Sequence, residues 1–395
     1  MTETTSKRLH SLDVFRGFVI AAMILVNTPG SWDYVYAPLE HAVWNGLTPT
    51  DFIFPFFLWI MGVSAAFSLK KYDYRFSAAS IKKVAVRTVV LLLVGYVIGW
   101  LSRFLYRIFD PEFSGTTGAR WAHALWNFDT ARVMGVMTRL ALCYLFLSLL
   151  VFCIRKESTL KWLCAGMLVA YAIVLLIGHG FEFSIRNVVG RVDRALIPDA
   201  HLYHGLTVDG VSMTFDPEGI LSTIPSVAQT LIGFLCGRKI LTGKDNSLRV
   251  RDLSMSGTWM LLIGWLLSYG VPINKNVWSP TFVLVTSGAA YLCLALLIWS
   301  VDEKEQLNHF VFFDSFGRNA MFLFVLSNVV SLLLMRIPVW VHGDRMTLWN
   351  ACYECIFCRC VPNLYLASLL QAILFVIFMW GISYVLYRKE KYIKI

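Results

Sequence analysis

Apolar residues in this chain come in long runs separated by short polar stretches. Each run approaches the roughly 20 helical residues that cross a bilayer core of about 30 Å. The pattern predicts about ten membrane-crossing helices, over residues 13–30, 51–69, 84–102, 132–153, 161–179, 219–238, 255–272, 278–300, 311–335 and 364–387. The predicted fold class is an all-α polytopic membrane protein, a single transmembrane domain over residues 1–395 with no separate soluble domain. The polar start, Met1 to Ser11, lacks the small-residue cleavage site of a signal peptide, so the first span is expected to stay in the mature protein.

The loops alternate in charge. One set holds Lys7 and Arg8; Lys70, Lys71, Arg75, Lys82 and Lys83; Arg155, Lys156 and Lys161; Arg238, Lys239, Lys244, Arg249 and Arg251; Lys304; and Arg388, Lys389, Lys391 and Lys394. Lys275 is the lone lysine on the other side, while the arginines are less biased. Lysine-rich loops stay in the cytoplasm, so both termini are expected there. Loops 31–50, 103–131, 180–218, 273–277 and 336–363 then face away from it. The two long ones, 103–131 and 180–218, are rich in Asp, Arg, His and aromatic residues and suit a lid or a sugar-binding surface.

Composition agrees with a membrane bundle. The 395 residues are 57% hydrophobic and 15% charged, against about a quarter charged in soluble domains. A net charge of +10 would suit nucleic acid, but the lysines are spread over short loops rather than gathered in a patch, so nucleic acid is not an expected partner. Most of the nine cysteines are isolated in apolar runs, where a thiol packs as a small hydrophobe. Cys352, Cys355, Cys358 and Cys360 are the exception. Their last spacing is too short for familiar metal patterns, so no metal is expected there. A disulfide in an oxidising compartment or plain packing fits them better.

The chemistry-bearing stretch runs from Asn27 to Gly62. Ionisable groups this close to a bilayer are costly to desolvate and usually have a function. His41 stands among Asp33, Glu40 and Asp51, any of which is able to orient an imidazole by accepting its second N–H. Two readings stay open, a catalytic histidine and an interfacial one bonded to backbone or water. Asn27 either donates to a developing oxyanion or caps the first helix before Pro29 and Gly30. Thr48, Pro49 and Asp51 read as a helix start, with Thr48 the N-cap. That role leaves Asp51 free to touch the site as well.

Arg16, Arg87 and Arg318, with Arg238 and Lys239, offer an inward-facing basic pocket for phosphates. Snorkelling to lipid head groups accounts equally for Arg87, Arg238 and Lys239. Arg139 lies inside a span and needs a buried partner. Asn274-Lys275-Asn276-Val277-Trp278-Ser279 forms an outward polar turn, either solvated or substrate-binding.

Several blocks together carry a resemblance. They are Ser11-Leu12-Asp13-Val14-Phe15-Arg16-Gly17, Val26-Asn27, His41-Ala42-Val43-Trp44-Asn45-Gly46-Leu47-Thr48 with Asp51 and Phe54-Pro55, Arg132 to Val136 with Arg139, Gly190 with Asp193-Arg194 and His201 to Tyr203, Phe215 to Leu221, and Pro272 to Ser279. The chain resembles the heparan-α-glucosaminide N-acetyltransferase family and its shorter bacterial relatives. The Leu12-Asp13…Arg16-Gly17 opening is shared with other membrane acyltransferases, whereas the His41 and Pro272 blocks are specific. The resemblance implies acetyl transfer from cytosolic acetyl-CoA, a co-substrate, to an amino sugar across the membrane. It places the active-site histidine at His41 and its companion asparagine at Asn27; by their chemistry Asn45 is a second candidate oxyanion donor and Asp51 a candidate partner of His41. Glu40, Trp44, Asn274, Lys275, Asn276 and Trp278 are then candidates for holding the acceptor.

The chain departs from the animal enzyme in the N-terminal lumenal domain and in the Cys352–Cys360 cluster, which has no match. His41 is either a general base or an acetyl carrier. Expected partners are an amino-sugar acceptor and membrane lipid, with a homodimer left open. The expected location is the cell membrane, the inner one in a bacterium, with His41 on the extracytoplasmic side. The competing readings are an O-acyltransferase acting on a cell-envelope polysaccharide and a sugar or anion transporter.

Overall fold

Long apolar runs leave the backbone no partner but itself, so they close their hydrogen bonds internally as helices. In the computed structural model residues 9–243 and 245–393 are described; Lys7, Arg8, Lys244 and Lys394 lie outside them. The first half contains α1 (His10–Asn27), α2 (Ile53–Lys70), α3 (Ala78–Ile108), α4 (Thr117–Leu125), α5 (Val136–Cys153), α6 (Glu157–Ile177) and α7 (Val188–Leu196). A small hairpin follows, β1 (Leu206–Val208) and β2 (Val211–Met213). Then come α8 (Thr223–Thr242), α9 (Asn246–Leu267), α10 (Pro280–Leu297), α11 (Val311–Arg318) and α12 (Ala320–Arg336). A second hairpin, β3 (Pro338–Val341) and β4 (Asp344–Thr347), leads to α13 (Leu348–Cys352), α14 (Cys358–Cys360) and α15 (Leu364–Arg388).

Seven helices among the described residues are long and apolar enough to cross a membrane, or eight if a bent pair counts as one span. The bent pair is α11 and α12, expected as one helix over 311–335 but turned by 72° at Asn319. Asn319 spends its side chain on the C-terminal segment. Its Nδ2 donates to the Lys391 carbonyl at 3.1 Å and its Oδ1 accepts from the Ile393 N–H at 2.8 Å. The short helix α11 lies flush on α1. A Cβ at Gly17 would stand 1.7 Å from the Phe313 carbonyl oxygen, and one at Gly317 would stand 1.7 Å from the Asp13 carbonyl oxygen. Only glycine at both positions allows this approach.

Helices α8 and α9, expected to span, are less apolar than the seven. The reason for α8 is its position. It packs against α2, α5, α6 and α10, so neighbouring helices take the place of lipid. Its polar groups are paired inside the bundle. Gln229 Nε2 donates to Thr286 Oγ1 at 2.9 Å, and Gln229 Oε1 accepts from Trp278 Nε1 at 2.9 Å.

Contacts sort the helix ends into two sets. At one end the start of α1 meets the end of the α10 segment, where His10 N–H donates to Asp302 at 3.1 Å. At that end Lys83 at the start of α3 donates to the Ser68 carbonyl of α2 at 3.3 Å, and Arg238 of α8 approaches Glu157 of α6. At the other end the α1–α2 loop meets the α9–α10 loop, Gly46 N–H to Ile273 carbonyl at 2.8 Å. There Trp349 Nε1 also donates to the Pro29 carbonyl at 2.9 Å. The 180–218 segment folds over this second end, where Val189, Val208 and Phe215 pack around Trp44.

Candidate active site

The loop after α1 is built to present one imidazole. Helix α1 stops at Asn27, and Thr28 turns its hydroxyl back to the Ile24 carbonyl at 2.8 Å. Trp44 pins the far side of the loop. Its Nε1 donates to the Phe181 carbonyl at 2.7 Å, and its ring packs edge-on to Phe183 and Phe215. Gly46 takes φ +123°, which frees the chain to turn back toward α2. Thr48 then caps the turn Pro49–Phe52 in a capping box with Asp51.

Asp51 does more than cap. Its Oδ2 accepts from Thr48 N–H at 3.0 Å and Ala42 N–H at 3.1 Å. Its Oδ1 faces His41 Nδ1 at 2.7 Å. The carboxylate is buried, while the imidazole is half exposed at 51%. An ionised carboxylate accepts only, so the proton between them belongs to Nδ1 and the lone pair to Nε2.

Lys275 completes the group. Its Nζ is 3.4 Å from Asp51 Oδ1, 2.8 Å from His41 Nδ1 and 3.1 Å from Nε2. An atom that close to both ring nitrogens stands out of the ring plane, over the imidazole rather than along either lone pair. The turn that aims Lys275 is held by Asn274, whose Oδ1 accepts from Val277 N–H at 3.0 Å and whose Nδ2 donates to Asn45 Oδ1 at 3.0 Å. Burial lowers the Lys275 pKa, opposed by the charges of Asp51 and Glu218.

His41, Asn27 and Lys275 line a cavity of about 360 Å³. It extends along α3 from Arg103 to Gly95 and reaches Met23, Phe324 and Asn328. Arg132 and Glu218 also line it. Arg132 grips Asp216 with Nε at 3.0 Å and Nη2 at 2.6 Å, and Nη2 also bonds Glu218 Oε2. Behind them Arg139 is fully buried, bonded to the Gly219 carbonyl at 3.0 Å and to Ser222, with its guanidinium over the Trp278 ring. Its Nη2 is thus partnered, while Nε and Nη1 are buried without a hydrogen-bond partner among the described residues.

The remaining expected site residues have other surroundings. Asn45 is held by the Phe181 carbonyl and Asn274. Trp44, Asn276 and Trp278 are buried, and Glu40 is exposed near the loop. None of Asn45, Glu40, Trp44, Asn274, Asn276 and Trp278 lines the cavity. The basic residues expected to hold phosphates lie toward the opposite end in separate pairs. Arg16 binds Asp13 and Ser64, Arg318 binds Asp314 and Tyr392, and Arg87 lies over the Tyr144 ring. Arg238 lies over the Tyr74 ring, and Lys239 is 3.4 Å from Asp252. Cys352, Cys355, Cys358 and Cys360 are all free thiols. Sequence reasoning missed Arg132, Glu218 and Arg103 as cavity residues. Arg132 and Glu218 sat inside blocks that already carried the family resemblance, which was the available signal.

Fold and site together define a polytopic helical membrane protein with a His–Asp–Lys group at one end of its bundle, opening on a cavity. Residues 8–113 match the family model for heparan-alpha-glucosaminide N-acetyltransferase, catalytic. The chain is 27% identical over 372 residues to the heparan-alpha-glucosaminide N-acetyltransferase of Homo sapiens, covering 80% of this chain and 52% of that protein. It is 25% identical over 375 residues to that of Mus musculus, covering 82% and 53%. The chain is similar to these acetyltransferases, and the resemblance carried by its motifs is borne out. It spans about half the length of the curated relatives it matches.

Proposed function

We propose that this protein is a transmembrane N-acetyltransferase that moves acetyl from cytosolic acetyl-CoA to the amine of a glucosamine-type sugar on the extracytoplasmic side. The relatives' activity supports the reaction class. The observation that carries it is His41, bonded through Nδ1 to a buried carboxylate and lining a cavity. The alternating contacts of helix ends and the lysine bias favour ten spans with both termini in the cytoplasm, α8 and α9 included.

In this reading His41 Nε2 takes one proton from the acceptor ammonium. The freed nitrogen lone pair bonds to the thioester carbonyl carbon, and the carbonyl electrons move to oxygen. Asn27, which also lines the cavity, donates to that oxyanion. Collapse breaks the carbon–sulfur bond, and the departing thiolate takes the second proton released by nitrogen. Asp51 stabilises the imidazolium through Nδ1. Asn45, Trp44 and Asn274 hold the loops that aim His41 and Lys275.

The test is transfer of label from acetyl-CoA to glucosamine by purified protein. His41→Ala is expected to abolish transfer while leaving the thermal transition in place. Full activity in that variant removes His41 from the chemistry. Mass spectrometry of the product separates an amide from the ester of an O-acyltransferase.

A further inference from the structure

The cavity beside His41 carries a feature that acetyl transfer by His41 does not use. Glu218 is the sole acidic side chain among the cavity's lining residues. Its Oε2 is committed to Arg132, but its Oε1 has no hydrogen-bond partner among the described residues, and the residue lines the cavity. Arg132 already has Asp216 on its Nε and Nη2, so it does not need both Glu218 oxygens. The backbone fixes the carboxylate further. Glu218 N–H donates to Asp216 Oδ1 at 2.9 Å, and the Asp216 carbonyl accepts from Gly219 N–H at 3.0 Å. Burial would raise the Glu218 pKa, but the charges of Arg132 and Arg139, the Arg132 hydrogen bond and the charge of Lys275 keep it below the usual carboxylate range. Arg139 stands behind it and does not line the cavity.

We infer that Glu218 Oε1 is a subsite for a primary ammonium group of the acceptor. A positive charge entering a cavity rimmed by Arg103, Arg132 and Lys275 needs a carboxylate with a free oxygen, and Glu218 supplies it. The inference rests on the amino-sugar reading above and deepens it, because it makes Glu218 the group that separates an amine acceptor from a hydroxyl one. The acceptor binds as its ammonium form, and His41 takes the proton afterwards. Lys275, whose charge acts on both Asp51 and Glu218, yields its share of Glu218 to the ligand.

The experiment measures binding of glucosamine and glucose to detergent-solubilised protein by calorimetry, without acetyl-CoA. Wild type is expected to prefer glucosamine, and Glu218→Gln to reduce that preference by about ten- to a hundredfold, the size of a hydrogen bond to a charged group. Glu218→Asp, which keeps the charge, is expected to retain part of it. A preference unchanged in Glu218→Gln overturns the assignment. Wild type gives a second reading that needs no variant. Its affinity for glucosamine is expected to fall as pH rises through the titration of the sugar's own amine, with glucose unaffected. A flat glucosamine affinity also overturns the assignment. Selective amine binding without acetyl transfer sinks the proposed reaction and leaves the subsite standing, whereas transfer with no effect of Glu218→Gln does the reverse.

Discussion

Asp51→Asn separates the cap from the chemistry, because the two jobs fall on different oxygens. Oδ2 receives Thr48 N–H and Ala42 N–H, and an asparagine carbonyl oxygen is able to keep both bonds. Oδ1 receives His41 Nδ1 at 2.7 Å, and there an amide NH2 reverses the polarity. The NH2 donates to Nδ1, so the ring proton moves to Nε2 and the lone pair no longer faces the cavity. In a fully buried Ser-His-Asp site the same change costs about 10⁴ in kcat. Here the imidazole is 51% exposed, so water replaces part of the lost field and lets the ring sample the other tautomer. Loss of one hydrogen bond to a charged group, about 1.5–3 kcal/mol, sets the scale at about 10- to 100-fold in kcat. The cap survives, so the thermal transition is expected to shift by less than that of Asp51→Ala, which loses a capping interaction of about 0.5–2 kcal/mol and strands two N–H groups. Labelled acetyl transfer to glucosamine, run beside thermal unfolding, reads both. Wild-type turnover in a folded Asp51→Asn chain refutes the assignment of the Nδ1 proton and, with it, the base.

Two further outcomes follow from packing and from burial. Gly17→Ala or Gly317→Ala drives a Cβ into a carbonyl 1.7 Å away, so each is expected to destabilise by about 1–3 kcal/mol or more and to lower the thermal midpoint; an unchanged midpoint shows that α11 does not lie on α1 as described. Asp193, in the outer segment, is pushed up to about 6 by burial, with Oδ1 on the Ile220 N–H and Oδ2 buried without a partner. Its folded pKa lies above its unfolded 3.8, so the folded chain keeps a proton the unfolded chain has released, and stability falls as pH rises from about 4 to 6. The loss amounts to at most about 3 kcal/mol and is expected to be absent in Asp193→Asn; equal pH profiles for the two chains count against it.

The parts of this protein legible in its sequence are those where one physical term dominates. Apolar run length marked the positions of the helices, because a bilayer leaves the backbone no other solution. The Thr48–Asp51 cap was legible for a similar reason, since its residues are three apart and local. Run length alone did not foresee the break at Asn319, which follows from a contact with Lys391 and Ile393 far along the chain. Nor did apolarity reveal that α8 lies at the centre, where Gln229 and Thr286 are partners rather than costs. At the site, His41 and Asp51 were neighbours in sequence and could be paired on paper. Lys275, Glu218 and Arg132 come from three other loops, and only the alternation of helix ends brings those loops together.

In the proposed reaction, the position of the basic residues bears on how the donor would reach His41. Asp51, in the turn that leads into α2, and Ser64 on α2 are separated by thirteen residues, about 20 Å of helix. Ser64 is the partner of Arg16, so the arginine expected to hold phosphates lies about that far from the carboxylate that holds the imidazole. The cavity covers part of the way. Along α3 it runs from Arg103 to Gly95, about 12 Å, and Arg87 stands a further eight residues down the same helix. A thioester on a long arm therefore meets a passage that is roughly half formed. Beyond Gly95, Arg16 is tied to Asp13 and Ser64 between α1 and α2, and Arg87 lies over the Tyr144 ring between α3 and α5. Phosphates competing for those guanidinium groups would release the ties that close the passage.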